Sequence, residues 1–143
     1  MRPENKYAIG MYHILLPVDL DEDRTRAQAD YVLDFPAEPA DLKVTILYVL
    51  AREDAPTGEV ADFAGNEGAV RAANRIGGEG ILVNRELAAG EPISGQILET
   101  AQEANVDQIV MAGRKRSGVA KVLIGSTATD VIQAADRPVV VLG

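Results

Sequence analysis

The chain has 143 residues, 47% of them hydrophobic, which is enough for one domain with its own core. It contains no cysteine, so disulfides, thiolate metal sites and cysteine nucleophiles are excluded. The formal net charge of -8 argues against general binding of nucleic acid, because phosphate repels an acidic surface.

The sequence carries no sign of a membrane span or an export signal. No apolar run reaches the roughly 18 residues that cross a bilayer, and residues 1–10 lack the apolar stretch of a signal peptide. We therefore expect no membrane partner and a cytoplasmic location. Residues 1–10 are interpreted as an extension before one domain over residues 11–143.

Apolar, β-rich runs alternate with helical patterns, which is typical of βαβ units and a parallel sheet. The first run, YHILLPV, is almost continuously apolar, as a strand covered on both faces should be. The predicted strands are residues 12–18, 43–50, 81–87, 107–112 and 138–142.

Four helices are predicted between these strands. The first begins at the acidic residues 21–23 and ends before Pro36. Residues 69–76 mark the second, and the third opens at residues 90–92, with Pro92 in its first turn. The fourth follows Gly125 and Ser126, with one apolar face formed by Ala128, Val131, Ile132 and Ala135.

Parallel crossovers are right-handed, so these elements favour a doubly wound, Rossmann-like α/β fold with helices on both faces of a five-stranded parallel sheet. In such sheets ligands bind at the carboxyl ends of the strands, near the point where the strand order reverses. The sequence therefore predicts that Asp19 and the loop after the fourth strand share one crevice.

Three segments carry a resemblance to a known family: ILLPVD at the start, AAGEPISGQILETAQEANVDQIVMAG in the middle, and RSGVAKVLIGSTATDVIQAADRPVVVL at the end. Together they resemble the universal stress protein family over residues 11–143, with all elements in the same order. The resemblance implies a stress-response module, a homodimer and a crevice for ATP or another adenine nucleotide.

The ATP-binding members of that family have a phosphate loop of the pattern Gly, two residues, Gly, nine residues, Gly-Ser or Gly-Thr. Aligned on Gly125 and Ser126, the first two glycines fall at Ala112 and Lys115. Gly113 is a substitute for the first glycine if the alignment shifts by one residue, and Arg116 then takes the second place. In either alignment a bulky cationic side chain, Lys115 or Arg116, takes the place of the second glycine, where the backbone should approach a phosphate closely.

The resemblance implies that Asp19 contacts the adenosine part and that the backbone of Val44 reads the adenine edge. Two alternatives stay open: Asp19 is a turn or cap residue, and Gly125 and Ser126 merely form a turn and a helix cap. The candidate ligand contacts are Pro17, Val18, Asp19, Val44, Met111, Ala112, Gly113, Arg114, Lys115, Arg116, Gly125, Ser126 and Thr127.

Three functions remain open from the sequence: a nucleotide-binding module, a slow ATP hydrolase or phosphotransferase, and a ligand-free scaffold. Hydrolysis needs Mg²⁺ chemistry and a positioned base, for which Asp19 is the candidate near the phosphates. His13, the only histidine, lies on a strand without a nucleophile, so a Ser-His-Asp triad is not indicated.

Three further expectations concern particular segments. The strand from Pro138 to Leu142 is apolar and uncharged, which favours a homodimer through this edge. Residues 51–67 hold five acidic residues and are expected to form a mobile connection. Residues 114–121 hold four basic residues and no acidic one, and two interpretations stay open: a solvated loop, or a site for a small anion in which Lys115 and Arg116 contact phosphate.

Overall fold

The computed structural model describes residues 10–50, 62–115 and 122–143. The strands are β1 (Tyr12–Val18), β2 (Leu42–Leu50), β3 (Leu82–Ala89), β4 (Gln108–Ala112), β5 (Arg114–Lys115), β6 (Val122–Leu123) and β7 (Val139–Leu142). The α-helices are α1 (Glu22–Leu33), α2 (Glu67–Gly77), α3 (Ile93–Ala104) and α4 (Ser126–Ala134). In the described part of the chain, no helix combines the length and apolar character that crossing a membrane requires.

Five of the strands form one parallel sheet in the order β3-β2-β1-β4-β7, which confirms the predicted doubly wound α/β fold. β1 pairs with β2 along its whole length. With β4 it pairs only at Ile14–Gln108 and Leu15–Ile109. β1 and β4 therefore end without pairing at their carboxyl ends, and the strand order reverses between them.

The alternation of side chains along β1 separates two cores. Ile14, Leu16 and Val18 pack into a cluster that includes residues of α1 and α2. Leu15 packs into a second cluster with residues of α3 and α4. Because successive strand residues point to opposite faces, the helices cover both faces of the sheet, as predicted.

The described structure corrects the predicted elements at three places. Arg114–Lys115 was expected in a loop but pairs with Val122–Leu123 in an antiparallel ribbon. In the segment 51–67, which was expected to be a connection without a helix, Phe63–Gly65 forms a 3₁₀ turn and Asn66 is buried; residues 51–61 lie outside the described part, and the expected mobility of the segment stays a prediction. Ile132 was expected on the buried face of α4 but is exposed.

At the amino end of the sheet a buried histidine ties two strands together. His13 Nε2 lies 2.7 Å from the Thr45 hydroxyl on β2, and the His13 amide donates to Asp107 Oδ2 at 2.8 Å. Burial lowers the pKa of His13, and the nearby charge of Lys43 lowers it further. The folded protein therefore favours the neutral imidazole.

We expect the free energy of unfolding to fall as the pH drops below about 6.5, by at most about 1.4 kcal/mol per pH unit from this group. The unfolded chain binds the proton near that pH, whereas folded His13 binds it only at lower pH. The loss stops below the folded-state pKa. Urea unfolding of the wild type and of a His13→Gln variant between pH 7.5 and 5 measures this loss of stability. If the free energy of unfolding depends on pH identically in both proteins, His13 is not its source.

Candidate functional site

A cavity of about 280 Å³ opens at the carboxyl ends of β1 and β4. Its walls come from the ends of β1, β2 and β4 and from α1, α3 and the start of α4. The lining residues are Pro17, Val18, Asp19, Arg24, Gln28, Val49, Ile93, Ile97, Met111, Ala112, Gly125, Ser126, Thr127 and Ala128. The cavity lies where the strand order reverses, which is the usual ligand position in open α/β sheets.

Eight of the residues singled out from the sequence meet around this cavity. They are Pro17, Val18, Asp19, Met111, Ala112, Gly125, Ser126 and Thr127. Gly113 donates its amide to Leu142 O at 2.7 Å, so that amide is engaged in holding β7. Arg114 and Lys115 form β5, and Arg116 lies outside the described residues.

The structure does not bring Val44 to the cavity. Val44 is fully buried between Ile14 and Val83 in the sheet, near the amino end of β2. Val49, close to the carboxyl end of the same strand, lines the cavity instead. The part of β2 that reaches the cavity is therefore its carboxyl end and not Val44, and the contact between the Val44 backbone and a base edge stays a prediction.

The Asp19 side chain is held by a neighbouring arginine. Its Oδ2 accepts from Arg24 Nη2 at 2.7 Å and from Arg24 Nε at 3.1 Å, and its Oδ1 accepts from the Asp21 amide at 2.9 Å. Both carboxylate oxygens are thus engaged inside the first turn of α1 and the loop before it. Asp21 caps α1 by accepting from the Arg24 amide.

Asn66 fixes the main chain at Asp19 from the other side. This buried side chain donates from Nδ2 to Asp19 O at 2.9 Å. Its Oδ1 accepts from the Ala69 amide at 3.1 Å and so caps α2. This one side-chain amide therefore caps the beginning of α2 and positions the loop at the mouth of the cavity. The sequence did not indicate this role, because Asn66 lies in a segment that was interpreted as a polar connection.

A second amide side chain lies in the gap between β1 and β4. Gln28 on α1 donates from Nε2 to Pro17 O at 2.7 Å and to Val110 O at 2.9 Å. These two carbonyls have no partner across the gap because the strand pairing stops at Leu15–Ile109. Arg24 and Gln28 stand four residues apart and so lie on the same face of α1; neither was singled out from the sequence.

One half of the cavity wall is apolar. Val49 lies one residue before the end of β2, Ile93 and Ile97 lie on the first turns of α3, and Met111 lies one residue before the end of β4. The turn into α3 favours glycine at position 90, because the backbone there has a φ of 141°. A Cβ added at this position would also come within 2.8 Å of Gln96 Nε2. This turn is also held to strand β2, because the Gly90 amide donates a hydrogen bond to Leu50 O.

The amino end of α4 forms the polar end of the cavity. Gly125 is its N-cap and provides no side-chain cap, so the first amides of the helix are not satisfied by the usual side-chain acceptor. The backbone at Gly125 has a φ of -74°, which any residue adopts. A Cβ placed there would meet no heavy atom of the described residues within 4 Å, so the local structure does not require glycine.

Comparison with solved structures finds the same fold. A universal stress protein from Archaeoglobus fulgidus is 27% identical, with a TM-score of 0.64, covering 92% of this chain and 98% of that chain. One from Archaeoglobus fulgidus in complex with dAMP is 23% identical, with a TM-score of 0.68 and coverages of 94% and 100%. A universal stress protein in complex with cAMP is 16% identical, with a TM-score of 0.64 and coverages of 93% and 97%.

Sequence comparison agrees with this likeness. No curated protein matches the chain significantly. The sequence profile of the universal stress protein family matches residues 11–143, which confirms the resemblance carried by the three segments quoted above. The chain therefore belongs to the universal stress protein family.

Proposed function

We propose that this protein is a stress-response module that binds an adenine nucleotide in the cavity between β1, β4 and α4. The observation that carries the proposal is the division of the cavity wall into an apolar half and a polar end at an uncapped helix start. The relatives solved with dAMP and with cAMP support the choice of an adenine nucleotide.

The two halves of the wall fit the two ends of a nucleotide. Val49, Ile93, Ile97 and Met111 offer the apolar surface that a planar base needs. Gly125, Ser126 and Thr127 at the start of α4 line the cavity, where the first amides and the positive end of the helix dipole would stabilise a phosphate group. The sugar then lies between them, over the gap between β1 and β4.

The same proposal includes a homodimer through β7. Each of its four residues is half-buried in the single chain, and β7 pairs with β4 on one side only. An apolar edge strand without charge offers its unpaired amides and carbonyls to another chain. A two-fold axis would place β7 against β7 of the second copy.

Thermal unfolding with added ligand tests the binding proposal. A ligand that binds only the native state stabilises it by about 2.7 kcal/mol at a hundredfold excess over Kd, so AMP or ATP should raise the melting temperature saturably. Inorganic phosphate at the same ionic strength is the control, and it also tests the anion site expected in residues 114–121. No rise with either nucleotide, or an equal rise with phosphate alone, would overturn nucleotide binding.

A further inference from the structure

Gln28 is a buried polar side chain whose orientation is fixed by chemistry. The residue is 2% exposed, and one atom of its amide contacts two main-chain carbonyl oxygens, on Pro17 and Val110. Carbonyl oxygens only accept, so the atom between them must be the NH₂ group, which has two hydrogens to donate. The other amide atom is therefore the oxygen, Oε1.

This oxygen is free to accept. No described residue donates a hydrogen bond to Gln28 Oε1. Yet the described residues include no inaccessible side-chain nitrogen or oxygen that lacks a partner. Oε1 is therefore accessible, and the space that reaches this otherwise buried residue is the cavity that Gln28 lines.

Gln28 also lies where an acceptor would meet the middle of a nucleotide. It bridges β1 and β4 at the gap, between the apolar wall that begins at Val49 on β2 and the start of α4 that follows β4. The Asp19 carboxylate, the acceptor that the family resemblance implies, already receives hydrogen bonds from Arg24 and from the Asp21 amide.

We propose that Gln28 Oε1 accepts a hydrogen bond from a ribose hydroxyl of the bound nucleotide and selects ribonucleotides over their deoxy forms. The proposal rests on nucleotide binding in the cavity. A deoxy ligand leaves a buried acceptor without a donor, and an unmet buried polar group costs more than the net value of the bond. The two hydrogen bonds from Nε2 hold Oε1 in place before the ligand binds, so binding does not carry the entropic cost of ordering this side chain.

Calorimetric titration of the wild type with AMP, 2′-deoxy-AMP and 3′-deoxy-AMP tests the preference. One of the deoxy ligands should bind about 5- to 30-fold more weakly than AMP. Equal affinities for all three would overturn the role of Gln28 while leaving nucleotide binding intact, whereas no binding of AMP would overturn both. Inosine monophosphate has the same sugar as AMP but a different base. If affinity falls with inosine monophosphate and not with the deoxy ligands, the donor to Oε1 is on the base, and the proposal is overturned.

Two variants assign the preference to this side chain. Gln28→Lys keeps donors for Pro17 O and Val110 O but removes the acceptor, and Gln28→Met removes both functions. In either folded variant the ratio of AMP to deoxy-AMP affinity should fall to within about twofold of unity. A merely structural role would weaken both ligands alike and keep the ratio, which would contradict the proposal; because the wild-type titration needs no variant, the test stands even if one fails to fold.

Discussion

A Gly125→Ala variant is expected to keep its stability but to bind AMP at least about tenfold more weakly. Gly125 lines the cavity, and a Cβ there meets no heavy atom of the described residues within 4 Å, so the methyl group costs the empty protein little. The gain from restricting the unfolded chain, about 0.4–1 kcal/mol, offsets the weaker N-cap preference of alanine. The methyl group instead occupies space where the backbone approaches a phosphate.

The measurement is the Kd for AMP together with the urea midpoint of each protein. Gly77→Ala is a matched control, since a Cβ at Gly77 would contact Val83 alone among the described residues, at 3.9 Å, and Gly77 lies at the end of α2 and does not line the cavity. That control should bind AMP as the wild type does. If Gly125→Ala binds AMP normally, the start of α4 is not the phosphate end of the site.

The wild type is expected to be a dimer at micromolar concentration, and Val141→Lys is expected to make it a monomer. Val139 packs on one core and Val140 and Leu142 pack on the other, so a lysine at any of these would also disturb the fold. Val141 is not among the residues packed on either core. A charge at its place protects a strand edge from pairing with another chain.

Leu87→Lys on β3 is the matched control for the dimer. β3 is the opposite edge of the sheet and Leu87 is exposed, but Arg85 and Glu86 already place charges on that strand. This difference between the edges favours pairing through β7. Light scattering should find a dimer for the wild type and for Leu87→Lys. A monomeric wild type, or loss of the dimer in both variants, would contradict pairing through β7.

The fold was largely predictable from the sequence because four of the five parallel strands, β1, β2, β4 and β7, are rich in apolar residues. β1 was predicted over residues 12–18 and has those bounds. The apolar face of α4 was harder. Its spacing indicates four inward residues, but α4 packs beside β7, the last strand of the sheet, and Ile132 remains exposed. Periodicity reports the face of a helix, not how far the sheet extends beneath it.

The site was predictable only in part. Asp19 and Gly125 follow directly from the position of strand ends and helix starts. The sequence could not show which part of β2 reaches the cavity, because an apolar strand carries no mark of its carboxyl end; Val49 lines the cavity and Val44 does not. Gln28 gave no signal of its own, since a buried glutamine on a helix is indistinguishable in sequence from a solvated one.

The most direct test of the central claim is a titration of the ¹⁵N-labelled protein with AMP, followed by amide chemical shifts. Nucleotide binding in the cavity predicts saturable shifts at Asp19, Val49, Met111 and residues 125–128, all of which line it. The amides of residues 74–77, at the carboxyl end of α2 and not among the residues that line the cavity, should change little. No saturable change at the cavity residues, or saturable changes confined to other parts of the protein, would contradict the account.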